Sequence, residues 1–203
     1  MTEITGAALG PDGQLRCPWC LSSADYLAYH DKEWGCPVRD DVGMFERLCL
    51  EAFQSGLSWL TILRKRENFR AAFCGFDPVA VAAFGAGDVD RLLADRGIVR
   101  NRAKIEAAIG NAQAALELPA GLAATVWSFA ADGAAVAPRT LADIPAWTPA
   151  SKALSARLRK HGFRFTGPVT AYAMMQACGV VDDHLADCFR QSAYPAVVRP
   201  ICY

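Results

Sequence analysis

The sequence predicts an all-α protein of roughly eight to ten short helices. Three observations carry this. Apolar residues recur at spacings of three and four along most of the chain. Asp, Asn, Ser, Thr, Pro and Gly fall where such runs begin and end. No stretch alternates long enough to make a strand.

Taken in order, the segment Met1 to Arg16 is polar and marked by Gly and Pro, without the basic-then-apolar pattern of a leader. It is expected to be a loose tail, flexible over 1–14, ahead of one domain over 15–190 and a C-terminal tail over 191–203. Val42, Phe45, Leu48, Cys49, Ala52, Phe53 and Gly56 form an apolar stripe behind the cap candidates Asp40 and Asp41. Ser58 to Glu67 reads as the next helix. Asp77-Pro78 starts a short one, with proline at the first helical position. Gly87-Asp88 opens a further turn or two that ends at Gly97.

Asn101 to Leu118 places Ile105, Ala108, Ile109, Ala112 and Leu116 on one side, and Pro119 stops it. Thr148 or Ser151 begins a helix running to His161, closed by Gly162. Pro168 to Cys178 carries Val169, Tyr172, Ala173 and Met175.

Hydrophobic residues make up 53% of the 203, ample for a core. The most apolar stretch, Ala114 to Ala137, is broken by Glu117, Pro119, Gly121 and Asp132, so it is not a membrane span. A cytoplasmic protein with reduced thiols is expected. The 21 basic and 21 acidic residues cancel, which counts against coating nucleic acid by charge. Local basic clusters remain at Arg64-Lys65-Arg66, at Arg100, Arg102 and Lys104, and at Arg157, Arg159, Lys160 and Arg164. Each also suits a solvated helix face.

Three patterns carry chemistry. Cys17 and His30 lie near one end of the chain, His184 and Cys188 near the other. Four-residue spacing on a helix would turn His184 and Cys188 to one side. Two sulfurs and two imidazoles fill a tetrahedron, as in a closed zinc site that staples distant segments. Core-filling cysteines, or a redox dithiol in Cys17-Pro18-Trp19-Cys20, are the alternatives, although no strand–helix setting surrounds that motif.

The second pattern is Gly162-Phe163-Arg164-Phe165-Thr166-Gly167 between two helices. It is either an ordinary connection or a hairpin whose backbone N–H groups and following helix N-terminus hold a phosphate without lysine. Third, Trp19, Tyr26, Tyr29, Trp34, Phe45, Phe53 and Trp59 crowd the first third of the chain. Phe45 and Phe53 belong to the apolar stripe; Glu51 does not. A carboxylate beside an aromatic slot suits a flat cation.

Several ordered motifs together resemble the DNA-3-methyladenine glycosylase I family. They are Cys17-Pro18-Trp19, Tyr29-His30-Asp31-Lys32-Glu33-Trp34-Gly35, Leu50-Glu51-Ala52-Phe53-Gln54-Ser55-Gly56-Leu57-Ser58-Trp59 and Lys65-Arg66-Glu67-Asn68-Phe69-Arg70. Gly97-Ile98-Val99-Arg100-Asn101-Arg102-Ala103-Lys104-Ile105, Trp127-Ser128-Phe129, the hairpin itself and Met175 to His184 complete the series. The resemblance spans about residues 15 to 190.

It implies a helix-hairpin-helix glycosylase fold with a zinc staple joining the N- and C-terminal segments, the ion held by Cys17, His30, His184 and Cys188, with Cys20 outside the set. The implied activity is excision of 3-methyladenine from double-stranded DNA, leaving an abasic site, by a monomer without a lysine nucleophile. Tyr29 and Trp59 would stack on the base and Glu51 would accept its amine hydrogens as the catalytic carboxylate. Trp19, Tyr26 and Trp34 would shape the pocket. Arg164, Phe165, Thr166 and Gly167 would meet DNA. One departure stands out: Asp182 occupies a slot that is often Asn in the family. It is either a second functional carboxylate or the cap of a helix bearing His184. The competing readings are a zinc-stapled binding module without catalysis and a thiol oxidoreductase using Cys17 and Cys20.

Overall fold

The computed structural model describes residues 6–131 and 136–191. Among them are nine α-helices and one two-stranded hairpin, so the all-α expectation holds. The helices are α1 (Ala24–Lys32), α2 (Asp41–Gln54), α3 (Trp59–Ala72), α4 (Pro78–Ala82), α5 (Ala86–Ala94), α6 (Arg102–Leu116), α7 (Leu122–Trp127), α8 (Pro149–Lys160) and α9 (Pro168–Ala177).

Side-chain oxygens start most of them, each satisfying an N–H that has no partner inside the helix. Ser23 accepts from Tyr26 N–H, Asp40 from Gly43 N–H, Ser58 from Thr61 N–H and Asn101 from Lys104 N–H. Thr148 and Ser151 cap α8 reciprocally, which resolves the choice of start in favour of Thr148.

Helix α2 is the axis of the molecule, touching α3, α6, α7 and α9. Being covered on several sides, it buries Met44, Glu46, Leu50 and Glu51 as well as the expected stripe, whose ends Val42 and Gly56 are exposed. A ladder of rings runs from it: Phe53 meets Phe69 and Phe73, and Phe73 stacks on Phe76. Helices α8 and α9 pack on each other, and α9 also lies on α2.

Three expectations need correction. Residues 8–16, expected within or beside a loose tail, form the hairpin β1 (Ala8–Leu9) and β2 (Leu15–Arg16), in antiparallel register Ala8 to Arg16. Arg16 anchors it: its buried guanidinium bonds to Asp31 and Asp12. Helix α3 runs past Glu67 to Ala72, because Phe69 and Ala72 are buried there. The segment 184–188 is not helical. It is a tight turn in which Leu185 carbonyl accepts from Cys188 N–H at 2.8 Å, so Asp182 caps no helix.

Helices α1 and α7 were not anticipated, since their buried faces are short. Asp132, residues 1–5 of the expected N-terminal tail and residues 192–203 of the C-terminal one lie outside the described residues. Among the described residues no helix is long and apolar enough to cross a membrane.

Candidate active site

Helix α1, the turn before it, the end of α2, the start of α3 and one face of α9 surround a cavity of about 230 Å³. All six residues expected to bind or act on a base line it: Trp19, Tyr26, Tyr29, Trp34, Glu51 and Trp59. The rings form a box. Tyr29 and Trp59 meet at a 48° tilt with centroids 5.5 Å apart, and Trp19 meets Tyr26 and Trp34 edge-on at 5.7 and 5.2 Å. Tyr26 is fixed by its hydroxyl oxygen, which accepts the N–H of Leu60 at 2.9 Å and so satisfies an end of α3.

Glu51 enters the box from α2. It is buried, and it takes no hydrogen bond among the described residues. Burial alone pushes its carboxyl up to about 8. Burial, and next the nearby Glu51 charge, also push the Tyr29 hydroxyl upward. Trp59 Nε1 is a buried donor without a partner. An acid raised by desolvation lies on this lining, and Trp59, with its stranded donor, is part of the same lining; a polar, flat guest would suit such a cavity.

The lining includes three residues that the sequence reading missed, Gln54, Ala173 and Gln176. Gln176 had a legible signal: it is the polar interruption of the apolar run Met174-Met175-Gln176-Ala177. Its Nε2 donates to Asp183 at 2.7 Å, and the Tyr172 hydroxyl donates to the same carboxylate oxygen at 2.5 Å. Asp182, by contrast, is not part of the lining; its Oδ1 accepts from His184 N–H at 3.2 Å.

Lys104 was grouped with surface cations but is buried. Its Nζ donates to the carbonyls of Phe53 and Ser55 at 2.8 and 2.7 Å, satisfying the C-terminal end of α2 below Glu51. The neighbouring basic cluster is likewise committed: Arg64 pairs with Asp25, Arg66 with Glu33, and Lys65 with the carbonyls of Arg96 and Gly97.

Against one wall of the box lies the Cys/His set. Cys17, His30, His184 and Cys188 are all buried, with ligand atoms within 4.8 Å of one another. Cys17 Sγ is 3.8 Å from His184 Nδ1, and Cys188 Sγ is 3.7 Å from that nitrogen and 3.5 Å from His30 Nε2. A tetrahedral ion with bonds of ~2.0–2.3 Å needs ligand edges of about 3.3–3.8 Å, which these three distances match. The far nitrogens are also engaged. His30 Nδ1 lies 2.8 Å from Asp31, and His184 Nε2 lies 3.2 Å from the Trp34 carbonyl. Such partners leave Nε2 of His30 and Nδ1 of His184 free to ligate. The set could therefore hold one metal ion. Cys20 is buried beside it but outside it.

The segment between α8 and α9 is stiffly built. Gly162 (φ 89°) and Phe165 (φ 56°) have left-handed backbones. Asn111 bonds both backbone polar groups of Arg164, and Ser155 donates to the Thr166 carbonyl at 2.6 Å. Phe165 and the Arg164 side chain face outward, Thr166 is buried, and Gly167 precedes Pro168 at the start of α9.

The site is thus an aromatic cavity in a helical body, with one desolvated carboxylate on its lining and a helix-to-helix connection leading into the helix, α9, that supplies Ala173 and Gln176. The chain belongs to the methyladenine glycosylase family, whose model matches residues 19–191. It is 50% identical over 177 residues to DNA-3-methyladenine glycosylase 1 of Escherichia coli, covering 85% of this chain and 95% of that one. A crystal structure of a 3-methyladenine DNA glycosylase I superimposes with a TM-score of 0.83 at 47% identity, over 87% of this chain and all of the other. The Staphylococcus aureus enzyme, solved to explain its recognition of 3-methyladenine, gives a TM-score of 0.84 at 35% identity, covering 89% of this chain and 98% of that one.

Proposed function

We propose that this chain is a DNA repair glycosylase that flips 3-methyladenine out of double-stranded DNA and hydrolyses its N-glycosidic bond, leaving an abasic site. The observation that carries the reading is Glu51, a buried carboxylate without a partner, set among Tyr29, Trp59 and Trp34. Methylation at N3 gives the purine a positive charge and makes it a good leaving group, so no strong acid is required. What the protein must supply is extrusion of the nucleotide, at a few kcal/mol of unstacking, and a fitted site for the cation. Tyr29 and Trp59 stack on the base. Glu51 is the catalytic carboxylate: the cationic base draws it to its charged form, and it accepts amine hydrogens. Trp19, Tyr26 and Trp34 close the box.

The fold is read as the helix-hairpin-helix type, with one domain over 15–190. The hairpin approaches a DNA phosphate through the N–H groups of Thr166 and Gly167 at the start of α9, with Phe165 and Arg164 on its outer face. The metal is read as zinc, one per chain, on Cys17, His30, His184 and Cys188; two soft thiolates and two imidazoles suit it, and it supplies a crosslink. A monomer in the cytoplasm is in keeping with this work. Asp182 is assigned no catalytic role, because it is turned to the backbone of His184.

The test is to incubate the chain with alkylated double-stranded DNA and quantify free 3-methyladenine by chromatography. Release with intact strands and alkali-labile abasic sites is expected. Tight binding to DNA without any released base would favour the non-catalytic module, and disulfide reduction by the chain that is lost on Cys20→Ser would favour the thiol oxidoreductase.

A further inference from the structure

Glu51 is one acceptor on the lining of the box. Gln176 offers another, and its amide has a fixed orientation. Its Nε2 donates to Asp183 at 2.7 Å, and the same carboxylate oxygen also takes the Tyr172 hydroxyl at 2.5 Å. A carboxylate accepts and does not donate, so the amide cannot turn over without losing that bond. Tyr172 is buried, and α9 packs against α2 and α8, which holds the relay rigid. One of the two N–H groups of Nε2 is committed in this way, and Oε1, on a side chain that lines the cavity, takes no hydrogen bond among the described residues. The one stranded donor nearby is Trp59 Nε1.

Resting on the proposed glycosylase activity, we infer that Gln176 is a specificity-determining residue that selects 3-methyladenine over 3-methylguanine, with Asp183 and Tyr172 positioning its carbonyl oxygen. Both methylated bases are cationic in DNA, so charge and stacking do not separate them. Guanine carries a 2-amino group and an N1–H that adenine lacks. The two also differ at position 6, where adenine presents an amino donor and guanine a carbonyl acceptor; Gln176 is assigned the reading of position 6. Against a fixed Oε1 the amino group gains a hydrogen bond, whereas the carbonyl would set two acceptors face to face. Sites built to make a particular hydrogen bond discriminate strongly, because the wrong partner leaves a buried polar group unpaired.

The experiment is to measure 3-methyladenine and 3-methylguanine released from the same methylated DNA, for the wild-type chain, Gln176→Leu and Asp183→Asn, with melting curves alongside. The wild type should favour 3-methyladenine, and Gln176→Leu should cut the ratio of the two rates about tenfold. Asp183→Asn gives the amide a donor to lean on and lets it turn its NH₂ toward the cavity, so 3-methylguanine release should rise in absolute terms. The ratio is internal to each protein, so partial loss of fold does not move it. A wild type that releases both bases equally, or a Gln176→Leu chain with an unchanged ratio, overturns the inference while leaving the glycosylase reading intact. A wild type that releases neither base overturns both.

Discussion

The aromatic box and the Cys/His cluster share walls yet are finished in opposite ways. Trp34 lies 4.6 Å from the His184 ring and Trp19 lies 5.3 Å from the His30 ring, so one set of indoles serves both. In the cluster, donors converge on one point and both imidazoles have their second nitrogens engaged, His30 by Asp31 and His184 by the Trp34 carbonyl. Arg16 in turn holds Asp31. In the box, Glu51 and Trp59 Nε1 have been left without protein partners. On the proposed reading, donors that converge and are oriented by their own neighbours hold an ion that serves structure. A site left incomplete stores a desolvation cost that a guest relieves. On the same proposed reading the cluster braces the walls, and the box does the chemistry.

The largest test breaks the brace. Cys188→Ala removes one of four donors that join the region of 17–30 to 184–188, and should lower unfolding free energy by about 3 kcal/mol or more, a modest part of the ~10–16 kcal/mol with which structural zinc is bound. Calorimetry together with metal analysis reads it. An unchanged melting temperature with no metal in either protein would remove the brace from the account.

A smaller effect sharpens the box. Glu51 has its carboxyl raised to about 8 in the folded chain, against 4.5 as its ordinary value. Between these values the folded state binds more protons than the unfolded state, so Glu51 makes stability fall as pH rises from about 4.5 and level off above about 8. Urea unfolding of the wild type and Glu51→Gln at pH 5 and pH 8 should show the gap between the two pH values shrink in the mutant. Identical pH dependence would mean that the carboxylate is not desolvated.

The smallest effect concerns the hairpin. If backbone N–H groups hold the phosphate and few cations are engaged, raising salt from 50 to 200 mM should weaken DNA binding by only about tenfold. A loss of a thousandfold would point to a basic face instead.

How much of this was legible depends on whether local sequence or packing decided it. Helix starts were, because Asp40, Ser58, Asp77, Asn101 and Thr148 cap by chemistry confined to a few residues. The hairpin at 8–16 was not: its strands are two residues each, too short for any alternation, and a long-range anchor from Arg16 to Asp31 holds them. The turn at 184–188 reads as helical spacing, but Leu185 N–H turns instead to Cys17 Sγ, a partner far away in sequence. In the box, the rings and Glu51 were visible as residues that break or exceed a core pattern. Lys104 was misplaced because a cation that neutralises a helix end looks, in sequence, like any surface lysine. Asp183 lies beside the more conspicuous Asp182, and only the fold of α9 shows which of the two reaches Gln176.

The division of labour is tested most directly by Glu51→Gln, assayed for 3-methyladenine release from alkylated DNA at pH 8 with melting temperature and metal content measured on the same preparation. Loss of the charged partner for a cationic base should reduce release by about a hundredfold, in line with the strength of buried charge-assisted hydrogen bonds. Metal content should be unchanged and the melting temperature no lower than that of the wild type, because the mutation removes a desolvated charge. Asp182→Asn should release base at close to the wild-type rate. Near-native release by Glu51→Gln, or a fall in release that merely tracks a fall in stability or metal, would contradict the account.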